Sequence, residues 1–362
     1  MIPSYKTLHK DFKFNGLSYS REALTDLGYS FVKEGEGHER SIGEFLLAWH
    51  DKNEAVEVET SGSTGTPKSV LLKKEHMKNS ALATGEYFNL IPGSSSLLCL
   101  SADYIAGKMM LVRAMVLGLE LDYVEPSSNP LTSGSRQYDF CAMVPLQLEN
   151  SLRNIDQIKT LIVGGAPITN AIREKTRHVS CQIFETYGMT ETVTHVAVKE
   201  INYGHTVRSN VVANSFKAMP EVAFSKDERN CLVIDAPNIA GGLVITNDVV
   251  NIISETEFTW LGRYDNVINS GGIKLFPERI ELKLAPIISN RFFVAGLPDE
   301  KLGQKLVLIV EGEVDVTELA TGIKEHDDLE KFERPKSIFC VPSFLETKNG
   351  KLNRQEILNQ FL

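Results

Sequence analysis

Between Thr60 and Ser69 the chain reads TSGSTGTPKS, hydroxyl residues and glycines running into Pro67 and Lys68. Gly62 and Gly65 let backbone N–H groups converge on an anion. The hydroxyls of Thr60, Ser61, Ser63 and Thr64 add donors, and the Lys68 ammonium meets the charge. That composition is a phosphate clamp. It is not a Walker A loop, which has glycine directly before its lysine and a helix straight after. Here Pro67 holds that place and the β-prone Val70, Leu71 and Leu72 follow, so the loop is expected to join two strands and to move. The bland alternative is a flexible linker.

Four further stretches carry candidate chemistry. VGGAP (Val163–Pro167) follows an expected strand, and Gly164, Gly165 and Ala166 would let a flat ring lie against backbone; a glycine pair can equally be a plain turn. In ETYGMTET (Glu185–Thr192), Tyr187 offers a stacking face, Gly188 a close approach, Thr190 a hydroxyl for phosphate and Glu191 a hard oxygen ligand for Mg²⁺. In TNDVV, Asp248 could take both hydroxyls of a ribose, or merely serve a turn. In TKNGKLNR (Thr347–Arg354), Lys351 follows a glycine turn and could be a solvated loop lysine.

Elements that would position these residues follow from periodicity. Apolar spacing predicts helices over 75–89, 106–117, 146–155 and from Thr169 or Asn170 to His178. Short apolar runs predict strands at 97–100, 119–124, 138–144, 160–163 and 182–184. Alternating strands and helices predict a doubly wound, largely parallel sheet with ligands at the carboxyl ends of its strands. Val211 to Thr259 reads as a small β-subdomain. Beyond it the pattern helix 277–288, strands 292–295 and 306–310, helix 316–325 and strand 337–341 predicts a separate α+β domain. The boundary falls at Asp265, giving domains 1–264 and 265–362. In residues 1–55 only a short amphipathic helix, Ile42–Trp49, stands out.

Composition narrows the function. A chain of 362 residues with 42% hydrophobic and 23% charged residues suits two globular domains. The formal net charge of −9 argues against nucleic acid and suits a cytoplasmic enzyme with local cations for anionic ligands. The start has no apolar leader, and Arg113, Glu120 and Asp122 break the most apolar span. Five scattered cysteines without a CxxC pair suggest buried, reduced thiols rather than a zinc site.

The order of the motifs carries more than any one of them. The clamp, GGAP, YGMTE, Asp248, GRYD (Gly262–Asp265), SGG (Ser270–Gly272) with FPE, and a late GK together resemble the acyl-adenylate-forming superfamily of acyl- and aryl-CoA ligases, luciferases and peptide-synthetase adenylation domains. The resemblance covers residues 56 to 362. It implies a large domain carrying the nucleotide site and a smaller mobile one. It also implies two half-reactions: a carboxylate attacks the α-phosphate of ATP, releasing pyrophosphate, and a thiol then displaces AMP. Thr60, Ser61, Thr64 and Lys68 match the loop over the β- and γ-phosphates. Gly164, Gly165 and Ala166 match the adenine wall, Tyr187 the adenine stack, Thr190 the α-phosphate hydroxyl and Glu191 the Mg²⁺ ligand. Asp248 matches the ribose acid and Arg263 its partner. Lys351 matches the lysine bridging carboxylate and α-phosphate. Asp265 matches the hinge, and Ser270, Gly271 and Gly272 match the wall of the pantetheine tunnel.

Two departures are visible. Asn247 stands where the family has glycine, and only 59 residues precede Thr60, as if that end were trimmed. For the acid, SADYIAGKMM (with Tyr104 and Lys108) and YGMTETVTHVAV (with Thr194 and His195) resemble the compact o-succinylbenzoate–CoA ligases of menaquinone biosynthesis. The second carboxylate of that acid would need a partner among Lys108, Arg113, Thr194 and His195. Implied co-substrates are ATP, Mg²⁺ and CoA. Another aryl- or medium-chain acyl-CoA ligase, an acyl-AMP ligase serving a carrier protein, and a non-catalytic nucleotide-binding sensor are the alternatives. The oligomeric state is left open, a homo-oligomer included.

Overall fold

The computed structural model describes residues 4–60, 68–132, 134, 136–202, 215–346 and 352–361, with the side chains of Thr60 and Lys68 excepted. The chain opens with a short hairpin, β1 (Lys13–Phe14) and β2 (Leu17–Ser18), then two helices, α1 (Arg21–Glu34) and α2 (Gly37–His50). Ser20 starts α1 by accepting the Ala23 N–H through its hydroxyl, 3.2 Å away. Ile42, Phe45, Leu46 and Trp49, spaced to share one helical face, bury α2 against the core. Gly28 and Gly43 let the two helices touch: a Cβ on Gly43 would lie 2.6 Å from the Gly28 carbonyl. The opening segment is therefore far more structured than its sequence suggests, and β1 pairs in parallel with the main sheet.

β3 (Ala55–Thr60) and β4 (Lys68–Lys73) form an antiparallel pair with Thr60 opposite Lys68. The clamp thus joins two strands, as the β-prone run after Lys68 predicts; Ser61, Gly62, Ser63, Thr64 and Gly65 themselves lie outside the described residues. There follow α3 (Lys74–Tyr87), β5 (Ser95–Leu98), α4 (Ile105–Leu117), β6 (Glu120–Tyr123), β7 (Tyr138–Met143), α5 (Pro145–Ser151), β8 (Ile158–Val163), α6 (Asn170–Thr176) and β9 (Gln182–Gly188). Strands β1, β6, β5, β7, β8 and β9 run parallel in that spatial order. Their residues alternate between two cores. Phe140, Ala142 and Ile162 join α3 and α4 on one face, while Cys141, Met143, Leu161 and Val163 join α5 and α6 on the other. Both faces are covered, which explains the unbroken apolar runs of these strands.

Beyond β9 the sheet turns antiparallel without a break. β10 (His195–Glu200), β11 (Phe216–Ala218), β12 (Ala223–Lys226), β13 (Cys231–Asp235), β14 (Leu243–Ser254) and β15 (Glu257–Arg263) complete a 13-stranded sheet, with α7 (Pro237–Ala240) between β13 and β14. The expected small β-subdomain is therefore the far half of the same sheet. The remainder comprises β16 (Ile268–Ser270), β17 (Ile273–Leu275), α8 (Pro277–Leu284), β18 (Phe292–Asp299), β19 (Gly303–Glu311), α9 (Val316–Glu325), β20 (Ser337–Val341) and α10 (Arg354–Leu358) around a five-stranded sheet. Its two apolar clusters use residues from Ile268 onward, whereas the two larger clusters end at Phe258, with Trp260 at their edge. Among the described residues no helix is long and apolar enough to cross a membrane. All five cysteines are free, and only Cys340 is exposed.

Phe45 is 2% exposed and its ring lies 6.0 Å from that of Trp49. Phe45→Ala should lower stability by about 3–5 kcal/mol, read as an earlier urea transition in tryptophan fluorescence. An unchanged midpoint would mean that the opening helices do not stabilise the sheet domain.

Candidate active site

The carboxyl ends of β8 and β9 meet the antiparallel half of the sheet around a cleft of about 990 Å³. β8 runs into Gly164–Ala166. Gly165 has φ +86°, and a Cβ on Gly164 would lie 2.4 Å from the Thr186 hydroxyl oxygen, so glycine is needed at both positions. β9 brings Glu185, Tyr187 and Gly188 to the rim. Gly188 is pressed against its neighbour strand: a Cβ there would lie 2.1 Å from the Thr194 carbonyl oxygen. Gly165, Ala166, Tyr187, Gly188 and Asp248 all line the cleft.

Asp248 sits on β14, 6% exposed, directly opposite Arg263 on β15. The Tyr187 hydroxyl donates to its Oδ2 at 2.7 Å and Trp260 Nε1 donates to its Oδ1 at 3.1 Å. Arg263 lies 3.7 Å from Oδ1. Burial, then the Asp248 charge, push the Tyr187 hydroxyl far above its ordinary pKa and keep it a donor. Two bonds leave the carboxylate with unused lone pairs, enough for a diol. The Tyr187 ring is held edge-on by Phe258, with centroids 5.1 Å apart.

One part of this arrangement escapes sequence reasoning. Arg173 and Lys199 both meet the buried Glu185 carboxylate on the cleft wall, Lys199 at 3.0 Å. Their partnership joins α6, β9 and β10, three elements whose neighbourhood no local pattern announces. Trp260 was legible in principle, because it shares the Phe258 face of β15 by simple alternation. Asn247, the departure from glycine, is used: it accepts from Arg229 at 2.9 Å and its amide lies 3.4 Å from Asp265.

Thr190 and Glu191 lie in the short 3₁₀ turn Thr190–Thr192 just after β9. Glu191 is exposed, and among the described residues no group of three His, Cys, Asp or Glu side chains could hold a metal. A single exposed carboxylate fits Mg²⁺, an ion held largely by phosphates and water. Asp265 follows Arg263 and lies 3.6 Å from its guanidinium. Ser270 and Ile273 face each other across a two-residue turn in which Gly271 and Gly272 have φ of +59° and +85°, the geometry that glycine pairs supply in tight hairpins. Lys351 lies outside the described residues.

Of the acid-reading candidates, the structure gathers three. Arg113, 2% exposed on the largely apolar α4, reaches Thr84 at 3.3 Å, Thr194 at 3.3 Å and His195 Nδ1 at 3.5 Å. No described carboxylate meets it. Burial pushes its pKa down to about 9, which leaves it charged at neutral pH. Burial and then Arg113 hold His195 well below its ordinary value, so the ring is neutral. With Nδ1 facing donors, Nε2 carries the proton, and that buried atom has no partner among the described residues. Lys108 is turned away, donating to the Ala102 and Asp103 carbonyls at 2.7 and 2.6 Å, and Tyr104 is 64% exposed.

A neutral buried histidine has a pH signature. Unfolded, His195 takes up a proton near pH 6.5; folded, it resists protonation, so stability should fall as pH drops from 7 to 5.5. The thermal midpoint should fall over that range, and less steeply in His195→Asn. An equal slope in the variant would contradict a buried neutral ring.

The chain is similar to several known proteins. The family model of AMP-binding enzymes matches residues 55–212. A 2-succinylbenzoate–CoA ligase of Listeria monocytogenes is 24% identical over 94% of this chain and 75% of its own. The o-succinylbenzoate CoA synthetase of Bacillus subtilis, solved with the acyl-adenylate OSB-AMP, shares the fold: TM-score 0.69 and 20% identity over 83% of this chain and 68% of the other. The crystal structure of an acyl-CoA synthetase (AMP-forming)/AMP-acid ligase II-like protein from Dyadobacter fermentans is 34% identical, covering 93% of this chain and 98% of that one, with a TM-score of 0.61. With that likeness over nearly its full length, and with glycine wall, tyrosine and buried aspartate around one cleft, the chain belongs to the AMP-binding enzymes and is an AMP-forming acyl-CoA synthetase.

Proposed function

We propose that this synthetase activates o-succinylbenzoate, an aromatic dicarboxylate, and passes it to CoA in menaquinone biosynthesis. The observation that carries the reading is Arg113. A guanidinium buried without a carboxylate is costly, and the second carboxylate of the acid would offset that cost. The protonated Nε2 of His195, a buried atom with no partner among the described residues, would donate beside it. The names of the Listeria ligase and the Bacillus synthetase agree with this substrate.

Roles at the nucleotide follow the family resemblance. The clamp, Thr60 to Lys68, covers the β- and γ-phosphates. Adenine lies between Gly164–Ala166 and Tyr187, and Asp248 takes the ribose hydroxyls with Arg263 behind it. Thr190 donates to the α-phosphate. Mg²⁺, when bound at Glu191, neutralises phosphate charge. Lys351 bridges the attacking carboxylate and the α-phosphate, where charge grows in the transition state. The unit from Asp265 onward then turns about that residue, and Ser270–Gly272 replaces Lys351 to line the path of the thiol.

Pyrophosphate release with ATP and Mg²⁺ across o-succinylbenzoate, benzoate, 4-coumarate, acetate and octanoate, each with and without CoA, tests the substrate. Release specific to o-succinylbenzoate with a CoA thioester as product is expected; preference for another acid would discard the menaquinone reading. Lys351→Ala should cut adenylation by about a hundredfold or more while sparing thioester formation from supplied acyl-AMP. An equal loss in both half-reactions would refute the division of roles.

A further inference from the structure

A second cleft, of about 390 Å³, lies beside Asp265 and shares Asn251 and Leu261 with the nucleotide cleft. Lys226, Arg229, Tyr264, Lys274 and Phe276 are among its lining residues, so the chain both before and after Asp265 contributes. None of its twelve lining residues is acidic, although the chain carries a net charge of −9. Arg229 is fixed in place: Asp227 at 2.8 Å, Asn247 at 2.9 Å and the Thr246 carbonyl at 3.1 Å hold its guanidinium, which stacks 5.3 Å over Tyr264. Lys226 and Lys274 are exposed, and neither pairs with a described carboxylate. Asn230 and Asn269 add carboxamide donors and acceptors. The volume is that of a small-molecule site.

We propose that this cleft binds the phosphate groups of an adenosine phosphate through Lys226 and Lys274. Phosphate oxygens meet the two ammonium groups, and Tyr264, Phe276 and the carboxamides offer apolar and hydrogen-bonding surface to the nucleoside. Such a ligand has two sources: the 3′-phosphoadenosine diphosphate end of CoA, or a free nucleotide acting as an effector. Lys274 lies on β17, immediately after the Ser270–Gly272 turn, so a ligand here sits next to the hairpin assigned to the thiol path. The CoA source rests on the ligase reading. Because both sides of the Asp265 segment line the cleft, an occupant also favours the arrangement seen here over others.

Adenosine 3′,5′-bisphosphate is the probe, titrated calorimetrically into the full chain saturated with AMP so that the larger cleft is filled. One binding event is expected, weakened at least about tenfold in Lys226→Glu/Lys274→Glu. A parallel rise in the KM for CoA in that variant identifies the CoA end as the occupant. Weakened binding with an unchanged KM identifies a free nucleotide. No binding event in the native protein, or equal affinity in the double variant, overturns the proposal. Pyrophosphate release by the native protein is read separately. Its absence would sink the ligase substrate reading while leaving lysine-dependent nucleotide binding intact.

Discussion

The hydrogen bond from Tyr187 to Asp248 joins the last parallel strand of the sheet to its antiparallel half, and the larger cleft lies at that junction. Parallel strands alone end in loops at one edge. Antiparallel strands alone have no such common end. Continuing one sheet from the first kind into the second brings a strand-end tyrosine against a mid-strand aspartate, 2.7 Å apart and 61 residues distant in sequence. Trp260 and Arg263 converge on the same carboxylate from β15. All three side chains that reach the Asp248 carboxylate come from strands, Tyr187 from β9 and Trp260 and Arg263 from β15.

A different constraint holds around α4. Apart from the half-buried Lys108, α4 is apolar around its circumference, and Arg113 is its one buried charge. A helix of that kind belongs in a core, and a lone guanidinium inside it is expensive unless something negative arrives. Its neighbours are hydroxyls and a neutral imidazole, good company for a shared anion and poor compensation on their own. Structural cations in this chain are treated otherwise: Lys74, wholly buried, pairs with Asp51 at 2.7 Å, and Arg354 grips Glu281 with both nitrogens at 2.7 and 2.8 Å.

Much of this was legible in the sequence. The strands and helices between 75 and 188 follow their periodicity closely, because strands buried on both faces write unbroken apolar runs. The ordered motifs pointed to the enzyme class. Residues 1–55 were harder to read, because α1 buries little of its own surface: only Leu24 and Gly28 are fully buried, leaving a faint stripe. That the small β-subdomain continues the main sheet strand by strand was not legible, because strand patterns give no information on pairing across a sheet. Glu185 with Arg173 and Lys199 was invisible for the same reason. Arg113 could be named as a candidate, but its isolation from every described carboxylate is a fact of packing.

The most direct measurement is a two-by-two comparison of adenylation efficiency. o-Succinylbenzoate and its analogue with hydrogen in place of the second carboxylate would be compared in the native protein and in Arg113→Met. The account predicts that the native protein prefers the dicarboxylate in kcat/KM by about a hundredfold, and that Arg113→Met erases the preference chiefly by losing the dicarboxylate. A preference that survives intact in the variant would contradict it.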